Sequence, residues 1–333
     1  MKIAIDTMGG DHAPQVVIQG VEQARDQFQD LEFLLFGDEK QIKKYLQNSE
    51  RLTIVPTQSV ILGTDEPLKA IRHKKDSSMV MAAQAVKAGQ ADALFSLGNS
   101  GALLAAGIFI IGRLKNIMRP ALMPTLPAMN SKQGFSFLDA GANAEVKVNY
   151  LKQWAVMGFF YAREVKEIAH PRVGLLNNGT EYDKGDSLHK EAYQALSKLP
   201  NINFIGNVEA TNLLEGVADV VITDGFTGNA TLKAIEGTAK TIMSQLKKAL
   251  LNNGLRPKVG ALLAKPALAS IKTTFDVATY GGAVLMGVKA PVVKAHGAAD
   301  ARTVYYALVQ LRMMYNKGML QQVIEYFDQQ PQK

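Results

Sequence analysis

The sequence predicts an α/β protein built on an open, mostly parallel sheet wrapped by helices in an α/β/α sandwich. Three observations carry that expectation. Short apolar runs ending in turn residues alternate with longer segments of helical period. Each run is too short for a helix, and most stop at Gly, Asn, Asp or Ser. A chain of 333 residues that is 47% hydrophobic and 20% charged can also bury a large core within a single elaborated domain.

In chain order, the first strand is expected over residues 3–6, where Ile3-Ala4-Ile5-Asp6 runs straight into Gly9-Gly10. Pro14 suits a first helical turn, so a helix follows over 14–29. Further strands are expected at 32–36, 53–55, 93–96, 135–139, 173–177, 203–205 and 220–223, each apolar and bounded by turn residues. Helices are expected at 77–88, 102–114, 144–165, 186–199, 229–251 and 300–315, the last with Asp300 as its N-cap. No signal-peptide pattern opens the chain. The longest apolar run, Ala102 to Ile111, is about half of the roughly 20 residues that span a bilayer, and it reads as a buried helix.

One internal echo stands out. Ala91-Asp92 is followed by Gly98 and Gly101, and Ala218-Asp219 by Gly225 and Gly228 at the same offsets. Both copies read as strand, turn and helix start, and the matched spacing implies that the two turns do one job. At the carboxyl end of parallel strands that job is ligand binding.

The charge is localised. From Gly237 to Phe275 the chain carries Lys240, Lys247, Lys248, Arg256, Lys258, Lys265 and Lys272 with no acid, and these seven equal the whole net charge of +7. An acidic partner or an anionic surface is expected there. Val259, Leu262, Leu263, Leu268 and Ile271 are interleaved with these cations, and Asn252-Asn253-Gly254 and Pro266 divide the stretch into two short amphipathic helices. Two readings stand for them, a packing or subunit contact and a reversible membrane dock through Val259, Leu262, Leu263, Lys258 and Lys265. The run Arg72-His73-Lys74-Lys75 likewise reads either as a basic helix end complementing its own dipole or as a docking patch for an acidic partner.

Several chemistries are excluded or poorly supported. There is no cysteine, so disulfides, thiolate metal sites and cysteine nucleophiles are absent. No Walker loop, no G-x-G-x-x-G after a strand, no paired-histidine zinc motif and no G-x-S-x-G elbow occurs. What remains is a set of strand ends rich in Gly, Asn, Asp, Ser and Thr: Asp6, Gly9, Gly10 and His12; Asn99, Ser100 and Gly101; Asn143; Gly179 and Thr180; Thr227, Gly228 and Asn229. Such residues donate hydrogen bonds without bulk, as a multiply charged anion requires. On this expectation the five loops form one rim that cradles phosphate, Lys184 and His296 balance its charge or stabilise an oxyanion, and Asp224 or Asp6 orients them.

The opening Ile5-Asp6-Thr7-Met8-Gly9-Gly10-Asp11-His12-Ala13-Pro14 resembles that of the PlsX family of phosphate acyltransferases. Gly98-Asn99-Ser100-Gly101, Pro171-Arg172-Val173-Gly174-Leu175-Leu176-Asn177, Ile202 to Glu209, Thr223-Asp224-Gly225-Phe226-Thr227-Gly228-Asn229 and Lys294-Ala295-His296-Gly297 follow in that family's order. The resemblance implies transfer of a long-chain fatty acyl group from acyl carrier protein to inorganic phosphate, giving acyl phosphate for phospholipid synthesis. It implies a fold similar to isocitrate and isopropylmalate dehydrogenases and phosphotransacetylases, a homodimer, no metal and no cofactor. It also implies a cytoplasmic protein peripherally associated with the membrane, with Arg72, Lys74 and Lys75 as candidate contacts for the carrier and no nucleic acid as partner. The competing expectations are a short-chain acyl-CoA phosphotransacetylase and a non-catalytic scaffold at the membrane.

Overall fold

The computed structural model describes residues 1–252, 254–267 and 277–329. The expected α/β architecture is present, divided between two sheets. In chain order the elements are β1 (Lys2–Asp6), α1 (Gln15–Gln27), β2 (Glu32–Gly37), α2 (Glu39–Tyr45), β3 (Leu52–Pro56), α3 (Pro67–His73), α4 (Ser78–Lys87), β4 (Ala93–Ser96) and α5 (Ser100–Ala106). They continue with β5 (Ala121–Met123), β6 (Thr125–Ala128), β7 (Ser131–Leu138), α6 (Val148–Glu164), β8 (Arg172–Asn177), α7 (Ser187–Leu196), β9 (Asn203–Glu209) and β10 (Val220–Ile222). The last are α8 (Gly225–Asn252), α9 (Leu255–Leu263), β11 (Ala283–Met286), β12 (Val292–Lys294), α10 (Ala301–Asn316) and α11 (Met319–Asp328).

Sheet one runs β3-β2-β1-β4-β12-β11-β5, parallel except for β11, which is antiparallel to both neighbours. Sheet two runs β6-β7-β10-β8-β9, parallel except for β6. Only Pro124 separates β5 of one sheet from β6 of the other, so the chain crosses between the sheets at a single residue. It returns through α8, α9 and residues 264–282 into β11. The largest core cluster joins both sheets: Ile3, Phe33 and Phe95 of sheet one share it with Leu138, Val173 and Val220 of sheet two, through Trp154 and Met157 of α6 and Leu308 and Leu311 of α10.

The strands outside the expected set have physical reasons to be missed. Prolines at 124 and 127 interrupt the β5–β6 stretch, and β12 is three residues long. Helix α8 starts at Gly225, four residues before the expected start, because the Asp224 side chain accepts from the Thr227 N–H at 2.8 Å and caps it. It runs for 28 residues, about 42 Å, and its second half stands in solvent, with Ile242 and Met243 exposed. Helix α9 folds back against it. Val259, Leu262, Leu263, Lys258 and Lys265 are all exposed there, whereas Leu268, Ile271 and Lys272 lie outside the described residues. No helix among the described residues is long and apolar enough to cross a membrane.

Candidate functional site

The carboxyl edge of sheet one is built around Asp6, the last residue of β1. Its side chain accepts from the Ser78 hydroxyl at 2.5 Å and the Ser96 hydroxyl at 2.6 Å, and Ser96 Oγ in turn accepts from the Gly98 N–H at 2.8 Å. Glycine is required around this carboxylate: a Cβ on Gly9 would stand 2.6 Å from Asp6 Oδ2 and 2.6 Å from the Gly98 nitrogen. Burial pushes the Asp6 carboxyl up, and the two hydroxyls, the Met8 N–H and Lys294 pull the other way. Asp6 is 1% exposed, so it lies beneath the rim and shapes it from below.

Above it opens a cavity of about 1020 Å³ between the two sheets. Gly10, Asn99, Ser100, Gly101 and His296 are among its polar lining. Leu62, Leu122, Leu126 and Leu232 are among its apolar lining, contributed by the loop before α3, the β5–β6 crossover and α8. Asn99 holds the mouth together. Its Oδ1 accepts from the Ala102 N–H at 3.0 Å, capping α5, and its Nδ2 donates to the carbonyls of Leu62, Gly63 and Asp65 at 3.0–3.2 Å. With the amide so occupied, Ser100 and Gly101 are the better candidates for touching a ligand. His296 Nδ1 accepts from the Ala298 N–H at 3.2 Å, an arrangement that puts the proton of the neutral ring on Nε2 as a donor.

The five loops expected in one rim divide between the two sheets, since β7, β8 and β10 belong to sheet two. Asn143, Asp224, Thr227, Gly228 and Asn229 gather around the buried Asp139. That carboxylate accepts from the N–H groups of Ala142 and Asn143 and from Asn143 Nδ2 at 2.7–3.1 Å. A Cβ on Gly228 would lie 2.0 Å from the Asp139 carbonyl oxygen, and Gly141 packs on Asn229. Gly179, Thr180 and Lys184 sit in the loop after β8, where Lys184 Nζ is 3.9 Å from Glu181 Oε2. None of these lines the sheet-one cavity, nor do Gly9 and His12. The aspartates of the internal echo are structural in both copies. Asp92 accepts from the N–H of Lys2 at 2.7 Å, and Asp219 from that of Arg172 at 2.8 Å, each fixing the start of a neighbouring strand.

Of the basic run, Arg72 and Lys75 are exposed, but Lys74 is engaged: its Nζ donates to the Val60 carbonyl at 3.0 Å and pairs with Asp65 at 2.5 Å. It tethers the loop whose Val60, Ile61, Leu62 and Gly63 form one lip of the cavity. Sequence reasoning also passed over Lys294, the last residue of β12. It lines the cavity floor, is 9% exposed, and burial lowers its pKa to about 8 against the opposing pull of Asp6 and Asp11. The available signal was its place in Lys294-Ala295-His296-Gly297, where attention fell on the histidine.

A family model described as "Fatty acid synthesis protein" matches residues 1–322. The phosphate acyltransferase of Latilactobacillus sakei subsp. sakei (strain 23K) is 61% identical over 334 residues, covering 100% of this chain and 99% of that relative. The phosphate acyltransferase of Streptococcus uberis is 56% identical, covering 99% of this chain and 98% of its own. Among solved structures, a branched-chain phosphotransacylase from Enterococcus faecalis V583 superposes with a TM-score of 0.60 at 15% identity, over 94% of this chain and 98% of that one. A phosphotransacetylase from Streptococcus pyogenes gives the same TM-score and identity over 95% and 94%. At that identity the likeness is one of fold.

Proposed function

The chain belongs to the fatty acid synthesis protein family of phosphate acyltransferases, and we propose that it carries a long-chain fatty acyl group from acyl carrier protein to inorganic phosphate within the sheet-one cavity. Acyl transfer to phosphate is its reaction. The supporting observation for the site is the cavity's mixed lining. Donors at Ser100, Gly101 and His296 border it together with Leu62, Leu122, Leu126 and Leu232, apolar side chains that suit an alkyl chain.

The chemistry asks little of the protein. An oxygen of hydrogenphosphate attacks the thioester carbonyl carbon, the C–S bond breaks, and sulfur leaves with the electron pair. The proton carried by the phosphate balances the thiolate. A thiol of pKa about 8.5 is a competent leaving group, so positioning and charge stabilisation dominate over general acid catalysis. A cavity lined by amides, hydroxyls and one imidazole meets that need. Lys184 and Asp224, expected among the catalytic groups, lie outside this cavity and are not part of the proposed site.

Arg72 and Lys75 stand exposed at the end of α3, beside the lip that carries Leu62, and suit an acidic carrier protein delivering its acyl chain there. The α8–α9 arm, with its excess cations and exposed leucines, is the proposed contact with anionic membrane in a cytoplasmic homodimer. Incubation of the purified protein with long-chain acyl carrier protein and phosphate, followed by hydroxylamine trapping, is expected to yield acyl hydroxamate. Product from acetyl-CoA and none from the carrier substrate would replace this donor with the short-chain one.

A further inference from the structure

Resting on that reading, we infer that Lys294 is the cation that anchors the acceptor phosphate on the cavity floor, with Asp6 as the positioning residue beneath it. The first support is register. Asp6 of β1 pairs with Ser96 of β4, and Ser96 pairs with Lys294 of β12, so the three form the last rung across adjacent parallel strands. Backbone pairing therefore fixes a carboxylate, a hydroxyl and an ammonium side by side at the edge where ligands of parallel sheets bind.

The second support is the count of donors. An ammonium has three N–H donors. Lys294 directs two of them to main-chain carbonyls, those of Ala295 and, at 3.3 Å, Leu97. No carboxylate stands within ion-pair distance of it among the described residues. One donor is thus left on a side chain that is almost wholly buried yet borders the cavity, with Asp6 and Asp11 favouring its charge without pairing directly with it. A buried cation without a paired anion is retained at a cost unless a ligand supplies that anion.

The third support is what surrounds it. Ser100, Gly101 and His296 border the same cavity and supply further donors. Of the three carboxylates that also line it, Asp300 is committed to capping α10 through Thr303, with its Oδ1 accepting from both the N–H and the hydroxyl, while Asp11 and Glu236 have no such commitment. A small dianion is the ligand class that satisfies this floor. The ammonium stays protonated throughout the reaction and takes no part in bond making.

Two variants test this with inorganic phosphate as the probe. Lys294→Met removes charge and donors together. Lys294→Gln removes the charge but keeps an amide with two N–H donors, on a side chain one bond shorter. In the wild type, phosphate is expected to raise the melting temperature at pH 7, a readout independent of turnover. In both variants that rise should vanish and the KM for phosphate should increase about thirtyfold, while the KM for acyl carrier protein stays within about twofold. An unchanged phosphate response and KM in folded Lys294→Gln overturns the assignment even if Lys294→Met does not fold. A wild type that binds phosphate through Lys294 but forms no acyl phosphate would leave this inference standing and remove the functional reading instead.

Discussion

At the scale of the residue, the buried rung makes a prediction about pH. Lys294 can hold a phosphate dianion only while protonated, and burial lowers its pKa from 10.5 to about 8, with Asp6 and Asp11 opposing the shift. The groups facing it from its surroundings are Asp6 on β1, Asp11 in the following loop and His296 in its own loop, with Glu236 and Asp300 across the cavity. Affinity for phosphate should therefore decline as pH rises through about 8, and at the acid end of the range the ligand's own protonation to the monoanion also weakens it, so the maximum lies just below 8. Stability moves the opposite way: the cost of burying the charged lysine is fully present below about 8 and is relieved between there and 10.5, as the folded state sheds its proton first. Phosphate-induced thermal shifts measured from pH 6 to 10 should shrink across that window. Asp6→Asn, which removes a charge that favours the ammonium, should move the decline to lower pH, and an unmoved profile would show that Asp6 does not set the charge of Lys294. The sequence made His296, Ser100 and Gly101 legible because loops of that composition announce themselves. Lys294 was not, since a lysine after two valines reads as an ordinary strand end until strand pairing places it beside Ser96.

At the scale of the element, the floor depends on how closely α1 and α10 meet behind sheet one. Gly20 makes the contact possible: a Cβ there would fall 2.5 Å from Val304 Cβ and 2.6 Å from the Ala301 carbonyl oxygen. Gly20→Ala improves intrinsic helix propensity by about 1 kcal/mol. It also forces apart two packed helices, an overpacking cost of about 1–3 kcal/mol that should win because one of the two clashes is with backbone. Urea unfolding is expected to show a net loss of up to about 2 kcal/mol with the slope unchanged, and a variant more stable than the parent would mean that the helices separate freely. Elements of this kind were partly legible. The eight strands β1 to β4 and β7 to β10 and the long helices stand where hydrophobic periodicity put them, but β5, β6, β11 and the parallel β12 are short or antiparallel insertions that interrupt the alternating pattern and signal nothing at the level of a single segment. The Asp92 and Asp219 echo marks two equivalent strand starts, but the shared ligand-binding job expected of the two turns does not follow from it, since only the first of them faces the cavity.

At the scale of the whole molecule, the sequence showed polar strand ends without showing that they divide between two sheets, since neither periodicity nor composition says which strands pair. It did show the charge asymmetry, and the fold now gives that asymmetry a shape. Helix α8 carries Lys240, Lys247 and Lys248 out from sheet two, and α9 brings Arg256 and Lys258 back beside it. Leu262 and Leu263 at the end of α9 are 70% and 78% exposed, so they contribute little to the folded core. Each cation near anionic lipid contributes about 1 kcal/mol, and two inserted leucines add about 1.5–3 kcal/mol each, enough together for reversible binding. Replacing both leucines with glutamate is expected to abolish co-sedimentation with vesicles rich in anionic lipid while leaving the melting temperature and the formation of acyl phosphate in solution unchanged. Sedimentation that persists in the double variant would reassign the arm to contact between subunits, whereas loss of sedimentation at unchanged oligomeric state places the leucines against lipid. High salt should weaken the wild-type association without removing it, because screening acts on the cations and not on the buried leucines.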